Sequence, residues 1–494
     1  MTNETDPIQT FELLITADEG FVAFENLILD AQDSVIGGFR VFDLTTKLHG
    51  ERAKAIGTTW FDLLLDALNR GVSIEITVTD FDPVAATLDH RRSWMSARQF
   101  AGLNELSTGA QIKWSIATHA ARVGVLARTV LQVKSRAKMA AQKPDELSPG
   151  LKERMKGVDL PLVPTTHHHK LAVIDGKTLY IGGLDLNDRR YDTWEHDRDA
   201  DQTWQDIQAI VTGPVVDAAE RHLKCFQSVT AGEVEPSDPA PGFLRTLSTR
   251  RTVELTNLGP REYIHELEEA HLALIEKTEG PIYLETQFFR HKALANALAK
   301  AAENNAALTC TLVLPAAPED VAFEGNRAED AKHGAQLQMD CIDIVTEAFG
   351  KRVAIASPAR PVKAPPGTNG YARLFDAPII YVHSKLSLFG MHDAILSSAN
   401  LNGRSMKWDT EAGIHLTNPD HIRTCWNRAL KHWLHDVPVD PNEDQLGFVE
   451  WLNEDLARNR AAIPSERKHF LLPYPMGREA DLASPLPGVP DAMV

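Results

Sequence analysis

The stretch "TTHHHKLAVIDGKTLYIGGLDLNDRRYD", residues 165–192, sets three consecutive histidines ahead of a lysine and an apolar run. Three adjacent imidazoles suggest a metal site at first sight. The run HKLAVI, however, reads as a strand, and successive side chains of a strand point to opposite faces. All three histidines therefore cannot converge on one ion. His168 and Lys170 share one face, His167 and His169 the other.

The pairing recurs in "YVHSKLSLFGMHDAILSSANLNGRSMKWDTEAG" (381–413), where His383 and Lys385 share a strand face. The interval is 383 − 168 = 215 residues, and 385 − 170 gives the same value. Gly182, Gly183 and Asp185 follow the first pair at the spacing at which Ser397, Ser398 and Asn400 follow the second. A single HxK is weak evidence, since a lone histidine near a strand is more often structural. Two copies with matched turns make a repeated site.

The flanking chain repeats as well. Residues 61–83 read as a helix, a turn at Arg70-Gly71 and an alternating strand, and residues 294–318 have the same plan. Strands at 33–44 and 280–289 precede these units, and strands at 110–116 and 352–358 follow them. The fold class this implies is α/β: two duplicated halves, each a mixed sheet flanked by helices, packed as a pseudo-twofold bilobal unit. The halves are placed at 1–231 and 243–440, joined by the Pro- and acid-rich linker 232–242 and followed by a loosely attached tail, 441–494.

Two segments stand outside the repeat. Residues 117–157 carry nine Lys or Arg against three Asp or Glu, with Val123, Leu126, Val130 and Val133 at helical spacing. Such a basic amphipathic insertion either packs its stripe on the body or rests on anionic lipid. The Pro- and Gly-rich stretch 358–378 is too long for a plain connection and reads as a gate.

These motifs resemble those of the phospholipase D superfamily, whose signature HxKxxxxD, followed by a small-residue turn and Asn, occurs twice per active site. His168, Lys170 and Asp175 match the first copy in full, and IGGLDL with RRYD resembles the phospholipid-cleaving branch. His383, Lys385, Asn400 and GRS match the second copy, where Gly390 replaces the aspartate and Asp393 sits three residues late. The resemblance implies that His168 is the nucleophile, forming a phosphohistidine, and that His383 is general acid and then base. The residues by themselves leave that assignment symmetric. The resemblance also implies Asp206 behind one histidine and Glu411 behind the other, with a supporting role for Asp175. Asn400, Ser398, Gly183 and Gln287, with Glu285 on the same strand face as Gln287, are expected on the substrate. Asp185 is expected to pair with Arg189 or Arg190, and His167 and His169 to be packing residues.

The residue types suit the chemistry without the resemblance. A phosphodiester is an anion whose transition state spreads more charge over oxygen, so fixed cations such as Lys170 and Lys385 are its natural catalysts. One imidazole must be neutral to attack and another protonated to release the alcohol. No cofactor and no metal is called for, because the lysines take the electrophilic role. The expected activity is hydrolysis of phospholipids such as phosphatidylcholine to phosphatidate and alcohol, by a peripheral enzyme at a membrane surface. A cardiolipin-synthase-like phosphatidyltransferase, a nuclease of the same superfamily and a non-enzymatic lipid-binding protein are the alternatives.

Bulk properties bound these readings. A chain of 494 residues exceeds the size of a single core, and 43% hydrophobic with 24% charged residues is a globular composition. No apolar run approaches a membrane span, and the acidic N-terminus lacks a cleavable signal, so a cytoplasmic place or leaderless export is expected. Four widely spaced cysteines do not suggest a disulfide framework or zinc. The formal charge of −17 argues against nucleic acid as a partner. One chain supplies both motifs, so a monomer suffices.

Overall fold

The computed structural model describes residues 6–140 and 162–493. Its central strands show why the motif segments fold as they do. In β5 (Leu171–Ile174), Leu171 and Val173 enter a core shared by the two halves, while Ala172 and Ile174 enter a core of the first half alone. A strand covered on both faces needs this unbroken apolar run. Each large apolar side chain so buried stabilises the fold by about 1.5–3 kcal/mol.

The first half holds β1 (Thr10–Ile15), β2 (Ser34–Phe39), β3 (Ser73–Asp80), β4 (Lys113–Thr118), β5, β6 (Thr178–Gly182) and β7 (Ile207–Thr212). They form one sheet in the order β1-β7-β6-β5-β2-β3-β4. The second half holds β8 (Phe243–Thr249), β9 (Arg261–His265), β10 (Ile282–Glu285), β11 (Cys310–Val313) and β12 (Val353–Pro358). It continues with the hairpin β13 (Arg373–Leu374) and β14 (Ala377–Pro378), then β15 (Leu386–Phe389), β16 (Asp393–Ser397), β17 (Glu411–Leu416) and β18 (Leu471–Pro473). Its large sheet runs β18-β12-β11-β10-β15-β16-β17-β8-β9. Without the edge strands β9 and β18, that order reversed is the order of the first sheet. The parallel pairs β2–β3 and β3–β4 match β10–β11 and β11–β12.

The register repeats to the residue. Val35 lies opposite Ile174, and Ile282 lies opposite Phe389, with 174 + 215 = 389 and 35 + 247 = 282. Asp175 and Gly390 both take positive φ, +53° and +56°, at the turn after their strands. The Asp175 carboxylate accepts the backbone N–H groups of Gln32, Asp33 and Ser34 at 2.8–3.0 Å and so fixes the entry to β2. In the second half the residue matched to Ser34 is Pro281 (34 + 247), which has no N–H to satisfy. Gly390 keeps the matched backbone bond, its N–H donating to Pro281 O at 2.9 Å as Asp175 N–H donates to Ser34 O at 2.8 Å. The missing aspartate is thus accompanied by a missing donor.

The segment 441–494 was expected as a loose tail; its described residues, 441–493, are built into the second half. Phe448, Val449, Leu452 and Leu456 of the helix Gln445–Ala461 are buried in the shared core, and β18 extends the sheet beside β12. Their spacing is an apolar helical stripe that the surrounding prolines obscure. Of the basic insertion, the helix Val125–Ala140 is described; residues 141–157 and the side chains of Val130 and Val133 lie outside the described residues. Val123 precedes the helix and is buried, whereas Leu126 is exposed rather than packed on the body. Among the described residues no helix is long and apolar enough to cross a membrane.

Candidate active site

The three histidines lie in an extended run just ahead of β5. This run pairs with the other half: His167 bridges Thr410, and His168 and His169 donate their N–H groups to Thr410 O at 2.8 and 2.9 Å. The mirror arrangement holds Val382 against Gln205, with His383 N–H donating to Gln205 O at 2.7 Å. Each motif is therefore zipped to the strand entry of the opposite half, where the carboxylates sit.

The histidine pairs consequently cross between halves. His168 Nδ1 lies 2.9 Å from Glu411 Oε1 and 3.1 Å from Oε2, and His383 Nδ1 lies 2.7 Å from Asp206 Oδ2. Both carboxylates are fully buried. With Nδ1–H donating to a carboxylate, Nε2 of each ring carries the lone pair or the exchangeable proton. The neighbours do nothing comparable: His167 Nδ1 meets Thr410 Oγ1 at 2.8 Å, and His169 Nδ1 meets His222 Nε2 at 3.0 Å.

The residues matched across the repeat complete each pair differently. Ser398 Oγ donates to Glu411, whereas its counterpart Gly183 clears space, since a Cβ there would fall 2.1 Å from Asp206 Oδ1. Both were expected on the substrate, and in the structure both also lie against the carboxylates. The longer Glu411 is held by a hydroxyl, and the shorter Asp206 requires a glycine. Asp185 also departs from expectation. Its Oδ1 accepts Val41 N–H at 2.9 Å and its Oδ2 lies 3.8 Å from Lys170 Nζ, while Arg189 pairs with Glu319. The matched Asn400 is buried, and its Oδ1 and Asp185 Oδ2 have no hydrogen-bond partner among the described residues. Buried orphans of this kind are costly unless something meets them.

Lys170 and Lys385 are buried, each donating Nζ–H to the carbonyl of its own histidine. Gln287 donates to Tyr381 Oη at 2.9 Å. Glu285, read from the sequence as a possible substrate contact, accepts from Ser384, Tyr283 and Trp433 within the fold. Asp175 contacts none of these groups and acts on the β2 entry alone.

No protein-family model matches the chain. It is 24% identical to phospholipase D1 of Schizosaccharomyces pombe over 338 residues, half of this chain and 24% of that protein. It is 25% identical to phospholipase D1 of Saccharomyces cerevisiae over 349 residues, 53% of this chain and 21% of that protein. Cardiolipin synthase 1 of Staphylococcus epidermidis is 23% identical over 156 residues, 31% of this chain and 30% of that protein. The chain thus spans under a third of each of these relatives. The fold is similar to that of phosphatidylserine synthase from Haemophilus influenzae, with a TM-score of 0.53 at 13% identity over 92% of this chain and 95% of that one. The curated relatives it matches are thus phospholipases D and a cardiolipin synthase, and its fold is that of the phosphatidylserine synthase.

Burial sets the electrostatics of the site. It pushes His168 and His383 well below the usual imidazole range, with Lys170 and Lys385 respectively adding to the effect. It also lowers both lysines, opposed by Asp185 at Lys170 and by Asp206 at Lys385. Burial raises Asp206 and Glu411, opposed by Lys385 and Lys170. A bound anion opposes burial at all four cationic groups and favours their protonated forms.

Arg40 was not singled out from the sequence. It occupies the position matched to Gln287 (40 + 247 = 287), stacks near Phe81 at 5.0 Å, and its charge bears on His168 and Lys170. A lone arginine after a strand carries no signal until the register of the two sheets is known. Arg190 lies 3.4 Å over the Trp204 ring, which in turn packs 4.9 Å from His383.

Proposed function

We propose that this chain is a phospholipase D that hydrolyses the headgroup-side phosphodiester of phospholipids such as phosphatidylcholine, releasing phosphatidate and an alcohol. The carrying observation is the pair of buried histidines, each with Nδ1 on a buried carboxylate of the opposite half and each beside a buried lysine. His168 Nε2 attacks phosphorus, forming a P–N bond as the P–O bond to the headgroup breaks. His383 Nε2–H gives its proton to the departing alkoxide. His383, now neutral, takes a proton from water, whose oxygen attacks phosphorus and displaces His168. Lys170, Lys385 and Asn400 stabilise charge on the non-bridging oxygens, with no metal in the scheme.

Glu411 and Asp206 fix the tautomer of their histidines and stabilise the imidazolium forms. Sequence similarity to phospholipases D over half the chain supports a phospholipid substrate. The test is choline release from phosphatidylcholine vesicles in the presence of chelator. The wild type should release choline and, with ethanol added, form phosphatidylethanol, and His168→Ala should do neither. Release that survives the substitution, or no release by the wild type, overturns the reading.

A further inference from the structure

Exposed large apolar side chains converge where two loops meet. Val125 (43% exposed) and Leu126 (55%) open the helix Val125–Ala140 of the first half, and Val253 (73%) and Leu255 (53%) lie in the β8–β9 loop of the second. The loops are joined through their backbones: Gly124, Val125 and Leu126 donate N–H to Asn257, Glu254 and Leu255 carbonyls at 2.7, 3.0 and 3.0 Å. A Cβ on Gly124 would fall 2.8 Å from Asn257 N and from the Leu255 carbonyl, so this approach requires glycine there.

This rim lies on the active-site side. Val123 N–H donates to Leu162 O at 3.0 Å, and Val84, Val123 and Leu162 form a buried cluster with Leu258 packed against it. Five residues separate Leu162 from His168, and β8, which ends at this loop, pairs Thr246 with Glu411. Leu88, 66% exposed on the first turn of the helix Thr87–Leu106, follows Val84 by four residues.

Contiguous exposed apolar tips mark a surface that meets something other than water. Charge identifies the partner. In a chain of formal charge −17, the helix Val125–Ala140 carries Arg128 and Arg136 among its described side chains and no Asp or Glu. The second loop adds Arg250 and Arg251, with Glu254 its acidic member, 3.7 Å from Arg250. Apolar tips backed by cations match an anionic lipid interface.

We propose that the seam of Val125, Leu126, Val253 and Leu255 seats the protein on anionic phospholipid bilayers and holds the mouth of the site at the membrane surface. The choice of lipid as partner rests on the phospholipase reading. The test is co-sedimentation of the full chain with phosphatidylcholine vesicles prepared with and without phosphatidylglycerol, beside turnover of the soluble diester bis(4-nitrophenyl) phosphate. The wild type should sediment with the phosphatidylglycerol vesicles and be released by salt. L126S/V253S/L255S should partition about tenfold less while soluble-diester turnover stays within about twofold, and L255W should partition more strongly. The proposal is overturned if the triple variant partitions like the wild type, or if phosphatidylglycerol leaves binding unchanged. If neither vesicle lipid nor the soluble diester is cleaved while partition still depends on the rim, the phospholipase reading fails and the docking surface stands.

Discussion

Of the three histidines at 167–169, only His168 has a carboxylate on Nδ1, and the consequence is testable at single residues. Glu411→Gln and Asp206→Asn should each lower kcat about 10²- to 10³-fold in steady-state assays, with circular dichroism unchanged, because each leaves its histidine without support for the imidazolium. Equal kcat in variant and wild type would remove the carboxylates from the mechanism. Asp175→Ala should cost about 2 kcal/mol in urea unfolding, since three backbone N–H groups lose a charged acceptor, and should leave KM unchanged. At this scale the sequence was legible for the residues in the paired motifs. Asp206 and Glu411 entered by resemblance, and nothing local says that each serves the other half's histidine. The partner of Asp185 was hidden for a similar reason: Arg189 and Arg190 lie nearby in sequence, and only the fold places Lys170 beside it.

At the scale of elements, short apolar runs marked the inner strands, because a strand between two cores must be apolar on both faces. β2, β3, β10, β11 and β12 fall within the segments read as strands. The C-terminal segment was misread because its prolines at 464, 473 and 475 follow a helix whose stripe makes sense only once the shared core is seen. Leu452→Ala should therefore cost about 3 kcal/mol by chemical denaturation, as a core truncation does and a tail substitution does not. The turn after β6 makes a second demand. Gly183→Ala drives a methyl into Asp206, and should lower kcat at least about tenfold with little loss of stability, as the carboxylate is pushed off His383. A Gly183→Ala enzyme with wild-type kcat would show that Asp206 has room to move.

The whole molecule is a duplication whose two sheets repeat in strand order and register, while its site exists only between them. Either half expressed alone lacks the carboxylate for its own histidine. Burial also gives the molecule an acid limit. It lowers His119 and His222 to about 3 and His271 to about 4, so they are neutral in the folded chain. Below about pH 6.5 the unfolded chain protonates these histidines and the folded chain does not, so stability is lost as pH falls from 6.5, by about 1.4 kcal/mol per pH unit for each. Urea midpoints should fall steadily between pH 6.5 and 5 and stay level with respect to these groups above 6.5. The central claim, a covalent relay between crossed histidines, is tested most directly by quenching the enzyme during turnover in alkaline denaturant, where a P–N bond persists, and mapping the phosphorylated peptide by mass spectrometry. The account predicts a phosphatidyl adduct on His168 that is absent from His168→Ala and accumulates in His383→Ala supplied with a substrate whose leaving group needs no proton. An adduct on His383, or turnover with no adduct on either histidine, would contradict it.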